Sequence, residues 1–311
     1  MTDSRRESTE PAEPADNDAY VAAVHDRGLR FDLGTLSRRS ALGLFGGLGL
    51  AGLTACASGA PSGASTPGAV SPAATSGAAA TTTTAAPASS ATAASATTAA
   101  CVAEVPNETA GPYPGDGSNG ANALTTDGVV RNDIRSSFAG ATGTAEGVPL
   151  RLRMTVLNLA DACKPFSGAA VYLWHADREG NYSMYSSAVR NENYLRGVAA
   201  THANGVVEFV TVFPGCYPGR WPHMHFQVFE SVEAAISGRR EIVKTSQIAF
   251  PEDACRAAYA GEGYSTSASH LTRTSLRTDS VFREDGGARQ LATMGGSNDA
   301  GWTADLTIAV N

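Results

Sequence analysis

The sequence predicts an all-β fold, an antiparallel β-sandwich with long loops around a candidate active site, in the part of the chain that follows residue 100. Short segments in which polar and apolar residues alternate recur from residue 149 onward, and this period of two is typical of half-buried strands. Turn-forming Gly, Pro, Asn and Asp separate these segments, and little helical periodicity lies between them. Repeated short strands with turn signals favour a sandwich over a helical or α/β fold.

Six segments are predicted as strands. The first, Pro149–Asn158, alternates polar and apolar residues along PLRLRMTVLN. The others are 169–175, 205–213, His223–Phe229, 241–250 and 302–310. Turn signals occur at 177–180, 203–205 and 251–253, and a short helix is predicted at 254–259.

The first 100 residues predict three appended segments. Residues 1–36 are polar and acidic without periodicity, which predicts a disordered cytoplasmic leader. Residues 57–100 are almost wholly Ala, Ser, Thr, Pro and Gly, a composition that cannot bury enough apolar surface to fold, so we interpret them as a tether. The remainder, 101–311, is predicted as one domain, and a net charge of −7 without a basic cluster excludes a nucleic-acid-binding surface.

Residues 37–56 resemble a twin-arginine export signal. Arg38 and Arg39 precede an apolar run, 41–55, that is too short to span a bilayer. The run ends in Leu-Thr-Ala before Cys56, which resembles the site of lipid attachment in exported lipoproteins. We therefore expect export by this route, a membrane anchor at Cys56 and a cell-surface or extracellular location. The alternative is that the arginine pair and the cysteine occur together by chance.

The four cysteines that remain after Cys56 predict two disulfides. They are Cys101, Cys163, Cys216 and Cys255, an even number, as expected in an oxidising compartment. Three connectivities are possible, and we favour Cys101–Cys163 with Cys216–Cys255, because the second bridge would clamp two segments that carry candidate site residues. Free buried thiols are the alternative.

Two histidines and two tyrosines form a candidate metal site. His223 and His225 are one residue apart on a predicted strand, so both side chains point to the same face of a sheet. Tyr217 lies in a Pro/Gly-rich turn just before them, and Tyr182 follows the turn 177–180. A phenol has a pKa near ~10 in water, so only a strongly Lewis-acidic ion holds it deprotonated at neutral pH. This donor set favours Fe(III) over Zn or Mg.

At these residues the chain resembles the intradiol ring-cleavage dioxygenases, which are non-haem Fe(III) enzymes of the catechol and protocatechuate type. The resemblance is carried by GNYS at 180–183, YPGRWPHMH at 217–225 and SQIAF at 246–250, and it extends from about residue 105 to the C-terminus. It implies O₂-dependent cleavage of a catechol-type ring between its two hydroxylated carbons, giving a muconate-type diacid.

The resemblance also implies roles for individual residues. The iron ligands would be Tyr182, Tyr217, His223 and His225. Tyr217 would leave the metal and take a substrate proton, while Arg220 would stabilise negative charge on the ring and its oxygens. Gln247 would orient oxygens of the substrate, or would only form a cross-strand hydrogen bond. Pro112 and Tyr113 lie in a segment expected over the mouth of the site, where they would touch substrate or simply anchor the loop.

Two other functions share features with this sequence. A Cu,Zn superoxide dismutase also carries a His-x-His strand, but its site needs six histidines, and removal of His25 from the six in the chain leaves five. A non-catalytic, lipid-tethered β-sandwich that binds carbohydrate or aromatic polymer fragments stays open as an alternative. The sequence does not identify the diol or the oligomeric state.

Overall fold

The computed structural model describes residues 101–311. The predicted leader, the export signal with Cys56 and the tether all lie outside the described residues. Within 101–311, no helix is long and apolar enough to cross a membrane.

Strands dominate the described part of the chain, with three short helices between them. In chain order the elements are β1 (Pro149–Asn158), β2 (Lys164–Pro165), β3 (Ala170–Trp174), β4 (Arg196–Ala200), β5 (Val206–Val212), β6 (His223–Phe229), α1 (Val232–Ile236), β7 (Lys244–Ala249), α2 (Glu252–Ala258), α3 (Ser265–Leu271), β8 (Thr293–Ser297) and β9 (Gly301–Val310). The predicted all-β class is confirmed in its coarse form, as a β-rich fold with few helices.

The first sheet has five strands in the order β2-β1-β9-β8, with β5 paired to β1. β1 and β9 run parallel, with Leu150 opposite Trp302, so the prediction of a wholly antiparallel fold is wrong for this pair. Alternation of polar and apolar residues has the same period in parallel and antiparallel strands, and strand direction cannot be deduced from it. Between β1 and β9 the chain forms all the other strands, of both sheets, and it enters β9 in the direction of β1.

The second sheet has four antiparallel strands in the order β4-β3-β6-β7. Every residue of β3 and β6 is buried, because both faces of this sheet are covered. Val171 and Phe226 belong to a hydrophobic core that also contains Leu152 of β1, so both sheets contribute to one core. Trp174, on the other face of β3, belongs to a separate cluster next to the candidate site. The packing of the sheets as a sandwich stays a prediction.

All six predicted strands occur, with ends that differ by at most three residues. The predicted helix 254–259 occurs as α2, which begins right after Pro251. The strands β2, β4 and β8 and the helices α1 and α3 were not predicted. β4 reads RGVAA and is buried at its first four positions, so it lacks the alternation that marks a half-buried strand.

One of the two predicted disulfides forms. Cys101 and Cys163 are bridged across 62 residues of sequence. Cys216 and Cys255 are free and buried, so the predicted Cys216–Cys255 bridge is wrong for this structure. Each thiol is directed to a backbone carbonyl, Cys216 Sγ to Arg220 O at 3.4 Å and Cys255 Sγ to a carbonyl five residues before it. Burial raises the pKa of Cys216 to about 12 and that of Cys255 well above its usual value, which keeps both thiols protonated and unreactive.

Candidate metal centre

β6 carries both histidines of the site on one face. It lies between β3 and β7, and His225 is opposite Trp174 on one side and Gln247 on the other. The indole of Trp174 stacks on the His225 ring with centroids 5.0 Å apart. His223 Nε2 and His225 Nε2 are 3.1 Å apart, so the predicted pairing of two imidazoles on one face is found in the structure.

Two turns bring the tyrosines to these histidines. Tyr182 follows the turn that begins at Asp177, and Tyr217 lies in the turn after β5. The turns pack backbone to backbone, with Gly215 N donating to Asp177 O at 3.0 Å. A Cβ at Gly215 would overlap that carbonyl oxygen. Gly180 has φ 91°, and a Cβ there would lie only 3.2 Å from the Cβ of Tyr217. The glycines of both motifs therefore permit the close approach of the two tyrosine segments.

The four predicted ligands converge on one atom, His223 Nε2. Tyr217 Oη lies 3.1 Å from it, Tyr182 Oη 3.5 Å and His225 Nε2 3.1 Å. His223 Nδ1 lies 2.5 Å from the Trp221 carbonyl, which can only accept, so Nδ1 carries the hydrogen and Nε2 presents its lone pair. One lone pair cannot serve three partners, whereas a cation among the four atoms would serve all of them.

The spacing and the chemistry of this set fit a metal ion. Ligands about 2.1 Å from a shared ion, at angles of about 90° to 120°, are separated by about 3.0 to 3.6 Å, which covers the observed distances. Burial lowers the pKa of His223 and of His225 well below the usual value, which keeps both imidazoles in the neutral form that binds metals. Burial raises the pKa of Tyr182, so its phenol ionises only beside a strong Lewis acid. Among the described residues, no group of three His, Cys, Asp or Glu offers another metal site.

Arg220 faces the ligands from the side and is fixed by two partners. Its Nε donates to Asp279 Oδ2 at 2.9 Å and its Nη2 to Gln247 Oε1 at 2.6 Å, while Nη1 lies 3.3 Å from His223 Nε2. Gln247 Nε2 donates to the Thr109 carbonyl at 2.9 Å. The side chain of Gln247 therefore links Arg220 to the segment over the site.

Asp279 is the part of this network that the sequence did not reveal. It is fully buried and accepts four N–H groups, from Arg220 Nε at 2.9 Å, Trp221 N at 2.6 Å, Val281 N at 2.8 Å and Phe282 N at 3.1 Å. An Asp two residues before a Val-Phe pair is recognisable as a turn residue. Its pairing with an arginine 59 residues away depends on the tertiary fold.

The segment around Pro112 and Tyr113 lies against the centre. Gly111 is so close to His225 that a Cβ would lie 3.1 Å from the imidazole Cε1. The buried ring of Tyr113 packs on that of Tyr182 with centroids 4.8 Å apart. Pro112, which is only partly buried, accepts a hydrogen bond on its carbonyl from a neighbouring loop amide.

Tyr185 and His175 form hydrogen bonds with residues outside the candidate metal centre. Tyr185 Oη donates to Asn119 Oδ1 at 2.7 Å and accepts from Gly115 N at 2.9 Å, so it is Tyr182 that the fold brings to the histidines. His175 is buried, with Nε2 2.7 Å from Thr211 Oγ1, and the fold does not bring it to the ligands.

Glu108 is a second neighbour that the sequence did not single out. Burial raises the pKa of this carboxyl to about 7, the cation of Arg220 opposes the rise, and Asp285, Asp279 and Glu284 reinforce it. The cation of Arg220 thus acts electrostatically on a partly buried carboxyl group whose pKa is raised towards neutrality.

The Dioxygenase_C family model, described as a dioxygenase, matches residues 130–257. This range contains the four candidate ligands, Arg220 and Gln247. A chlorocatechol 1,2-dioxygenase of Rhodococcus opacus is 33% identical over 67 residues, covering 22% of this chain and 26% of that protein. Catechol 1,2-dioxygenase 1 of Acinetobacter lwoffii is 35% identical over 102 residues, covering 32% of this chain and 30% of that protein. The matches thus span about a quarter to a third of the length of these relatives.

Solved structures are also similar. An intradiol ring-cleavage dioxygenase from Tetranychus urticae has a TM-score of 0.49 and 26% identity, covering 59% of this chain and 87% of that one. The dioxygenase domain of a carbohydrate-binding fusion protein from Streptomyces sp. SirexAA-E has a TM-score of 0.43 and 24% identity, covering 67% of this chain and 99% of that one.

Proposed function

We propose that the chain, which resembles the intradiol ring-cleavage dioxygenases, is an Fe(III)-dependent dioxygenase of catechol-type diols. The premise is that residues 130–257 match a dioxygenase family model and that a chlorocatechol and a catechol 1,2-dioxygenase are similar to the chain. It would cleave the aromatic ring between the two hydroxylated carbons with O₂ and release a muconate-type diacid. The observation that supports this most is the convergence of two phenol oxygens and an imidazole nitrogen within 3.5 Å of His223 Nε2.

Tyr182, Tyr217, His223 and His225 would hold the iron. The chemistry that ferric iron would supply when bound there is Lewis acidity, which would withdraw electron density from the ring of a coordinated diol and favour its reaction with O₂. The two tyrosines must each lose a proton when the metal binds, so loading is expected to release protons and to weaken as the pH falls.

The two tyrosines differ in a way that suits different tasks. Tyr182 is fully buried between Tyr113 and the ligands, which fixes its position. Tyr217 is partly exposed and stands before a Pro-Gly pair, with Gly219 at φ 82°. A ligand on such a turn can move without disturbing the core, so Tyr217 is the phenol that would take a proton from the incoming diol.

Arg220 and Gln247 would orient and stabilise the substrate. The guanidinium of Arg220 is held by Asp279 and Gln247 beside His223, in a region where water is largely excluded. A fixed cation there stabilises negative charge that develops on the ring or its oxygens, without reorganisation during the reaction. Pro112 and Tyr113, on the segment over the ligands, would contact the ring of the diol.

The decisive experiment uses the full chain loaded with ferric iron and a panel of catechols under labelled O₂. We expect oxygen uptake with both labelled atoms in one acyclic diacid. Tyr182→Phe should abolish this activity, whereas Arg256→Ala, an exposed residue paired with Glu252, should retain it. An iron-free, colourless protein that binds aromatic or carbohydrate polymers without consuming O₂ would instead support the non-catalytic alternative.

The chain would also leave the cytoplasm through the twin-arginine route and be anchored by lipid at Cys56. The support is the order of Arg38-Arg39, a short apolar run and Cys56 in the sequence. Mass analysis of the mature protein from its native host should find an N-terminal diacylated cysteine. Replacement of both arginines by lysine should retain the chain in the cytoplasm, and an unprocessed N-terminus in the wild type would contradict the expectation.

A further inference from the structure

Arg196 is a buried cation whose partners are not carboxylates. It is the first residue of β4 and only 1% exposed. Among the ion pairs within residues 101–311, none includes Arg196. Burial of an unpaired charge is costly unless hydrogen bonds satisfy it, so its bonding partners indicate why it is there.

The guanidinium joins two segments that flank the candidate centre. It donates to Pro114 O at 2.9 Å and Tyr113 O at 3.0 Å in the segment over the site. It also donates to Ser183 O at 2.9 Å and Ser183 Oγ at 3.1 Å, directly after Tyr182. A further bond, at 3.2 Å, reaches the hydroxyl of Tyr172 on β3. The planar guanidinium thus links residues 113–115 over the site, called the covering segment, to residues 182–183, called the ligand segment.

The covering segment is shaped to admit this side chain. Gly115 has φ 60°, and a Cβ there would lie 2.7 Å from Arg196 Nη1. The backbone therefore approaches the guanidinium more closely than any other residue type would permit. On its other side the cation lies 5.4 Å from the centroid of the Tyr185 ring, and the Tyr185 hydroxyl accepts from Gly115 N at 2.9 Å.

We propose that Arg196 is a positioning residue, which fixes Tyr182 through Ser183 and holds the Tyr113–Pro114 segment over it. This role rests on the proposed function only where it concerns Tyr182 as a ligand of iron. The hydrogen bonds by which Arg196 joins the two segments do not require iron, so they are tested separately in the metal-free protein.

The test compares Arg196→Lys and Arg196→Met with Arg131→Met in the full chain. Arg131 is the matched control, because it also donates to backbone carbonyls, including that of Arg196 at 2.7 Å, yet its hydrogen bonds reach neither segment. Lysine keeps the charge and loses the fork, whereas methionine loses both.

The first measurement is hydrogen exchange in the metal-free protein. Several bonds to a charged group are lost, so peptides covering 113–119 and 182–186 should exchange at least about tenfold faster in both Arg196 variants than in Arg131→Met. Exchange in both segments that equals the control would overturn the proposal. If Arg196→Met does not fold, Arg196→Lys decides this arm alone.

The second measurement is ferric-iron affinity and the tyrosine-to-iron colour of the loaded protein. Both variants should bind iron more weakly than the control and show a weaker or shifted visible band, because each lacks the guanidinium that fixes Tyr182 through Ser183. Faster exchange with control-like affinity and colour would reduce Arg196 to a structural residue and overturn its role at the centre. If the wild type binds no ferric iron, the proposed function fails, and exchange alone judges the link between the segments.

Discussion

Replacing Asp279 by Asn is expected to destabilise the domain strongly while leaving the metal ligands in place. The carboxylate accepts N–H groups of Arg220 and Trp221 on one oxygen and of Val281 and Phe282 on the other. An amide has only one accepting oxygen, so in either orientation its NH₂ faces two donors. Breaking a buried ion pair in this way costs about 3 to 5 kcal/mol.

The assay is thermal and urea unfolding of Asp279→Asn beside Asp133→Asn. For a domain of this size a loss of 3 to 5 kcal/mol lowers Tm on the order of 10 °C. Asp133 is half exposed and paired with Arg135 at the surface, so its replacement should change stability by less than about 0.5 kcal/mol. Equal stability of the two variants would refute the importance of the buried pair.

Activity and metal content separate the two roles of this network. Asp279 is not a ligand, so iron content at a temperature where Asp279→Asn is folded should equal that of the wild type. Arg220 loses its anchor, and turnover is expected to fall about 10-fold to 100-fold. Loss of iron without loss of stability would instead assign Asp279 to the metal centre.

Three further outcomes are expected. Tyr182→Phe should bleach or shift the visible band of the iron-loaded protein and lower its iron content, whereas Tyr185→Phe should keep the colour, and the reverse result would exchange their assignments. Burial raises the pKa of Glu108 to about 7, so between about pH 4.5 and 7 the folded state keeps a proton that the unfolded state has lost, and stability should fall as the pH rises through this range. In Glu108→Gln this part of the fall in Tm should be absent. Identical profiles of Tm against pH in the variant and the wild type would contradict this expectation. Within residues 101–311, non-reducing peptide mapping should find the Cys101–Cys163 bridge and free thiols at Cys216 and Cys255, and Cys163→Ser should cost up to about 4 kcal/mol by loop entropy. A bridge between Cys216 and Cys255 would show that the buried thiols are oxidised in solution.

The strands that sequence reasoning found are those with a local signal. β1 alternates and is half exposed, and its predicted ends coincide with the observed ones. β4 is buried on both faces and carries no period of two, so it was missed. The parallel pairing of β1 with β9 was also missed, because strand direction is decided by the path of the whole chain rather than by either strand.

The candidate site also contains residues with a local sequence signal and residues without one. His223, His225 and Tyr217 lie within nine residues, so strand geometry and a turn signal were enough to bring them together. Asp279 and Arg196 act through contacts 59 and 83 residues away in sequence. Neither lies in a motif, and a buried charge is recognised only when its neighbours are known.

Resonance Raman spectroscopy of the full chain loaded with one ferric ion tests most directly whether the tyrosines beside His223 and His225 bind the metal. Excitation within the visible band enhances only vibrations of groups bonded to the iron. Tyrosinate ring modes that shift on ring deuteration of tyrosine, and that weaken in Tyr182→Phe, are the predicted result. A protein that holds one ferric ion per chain but shows no tyrosinate modes would contradict the proposed centre.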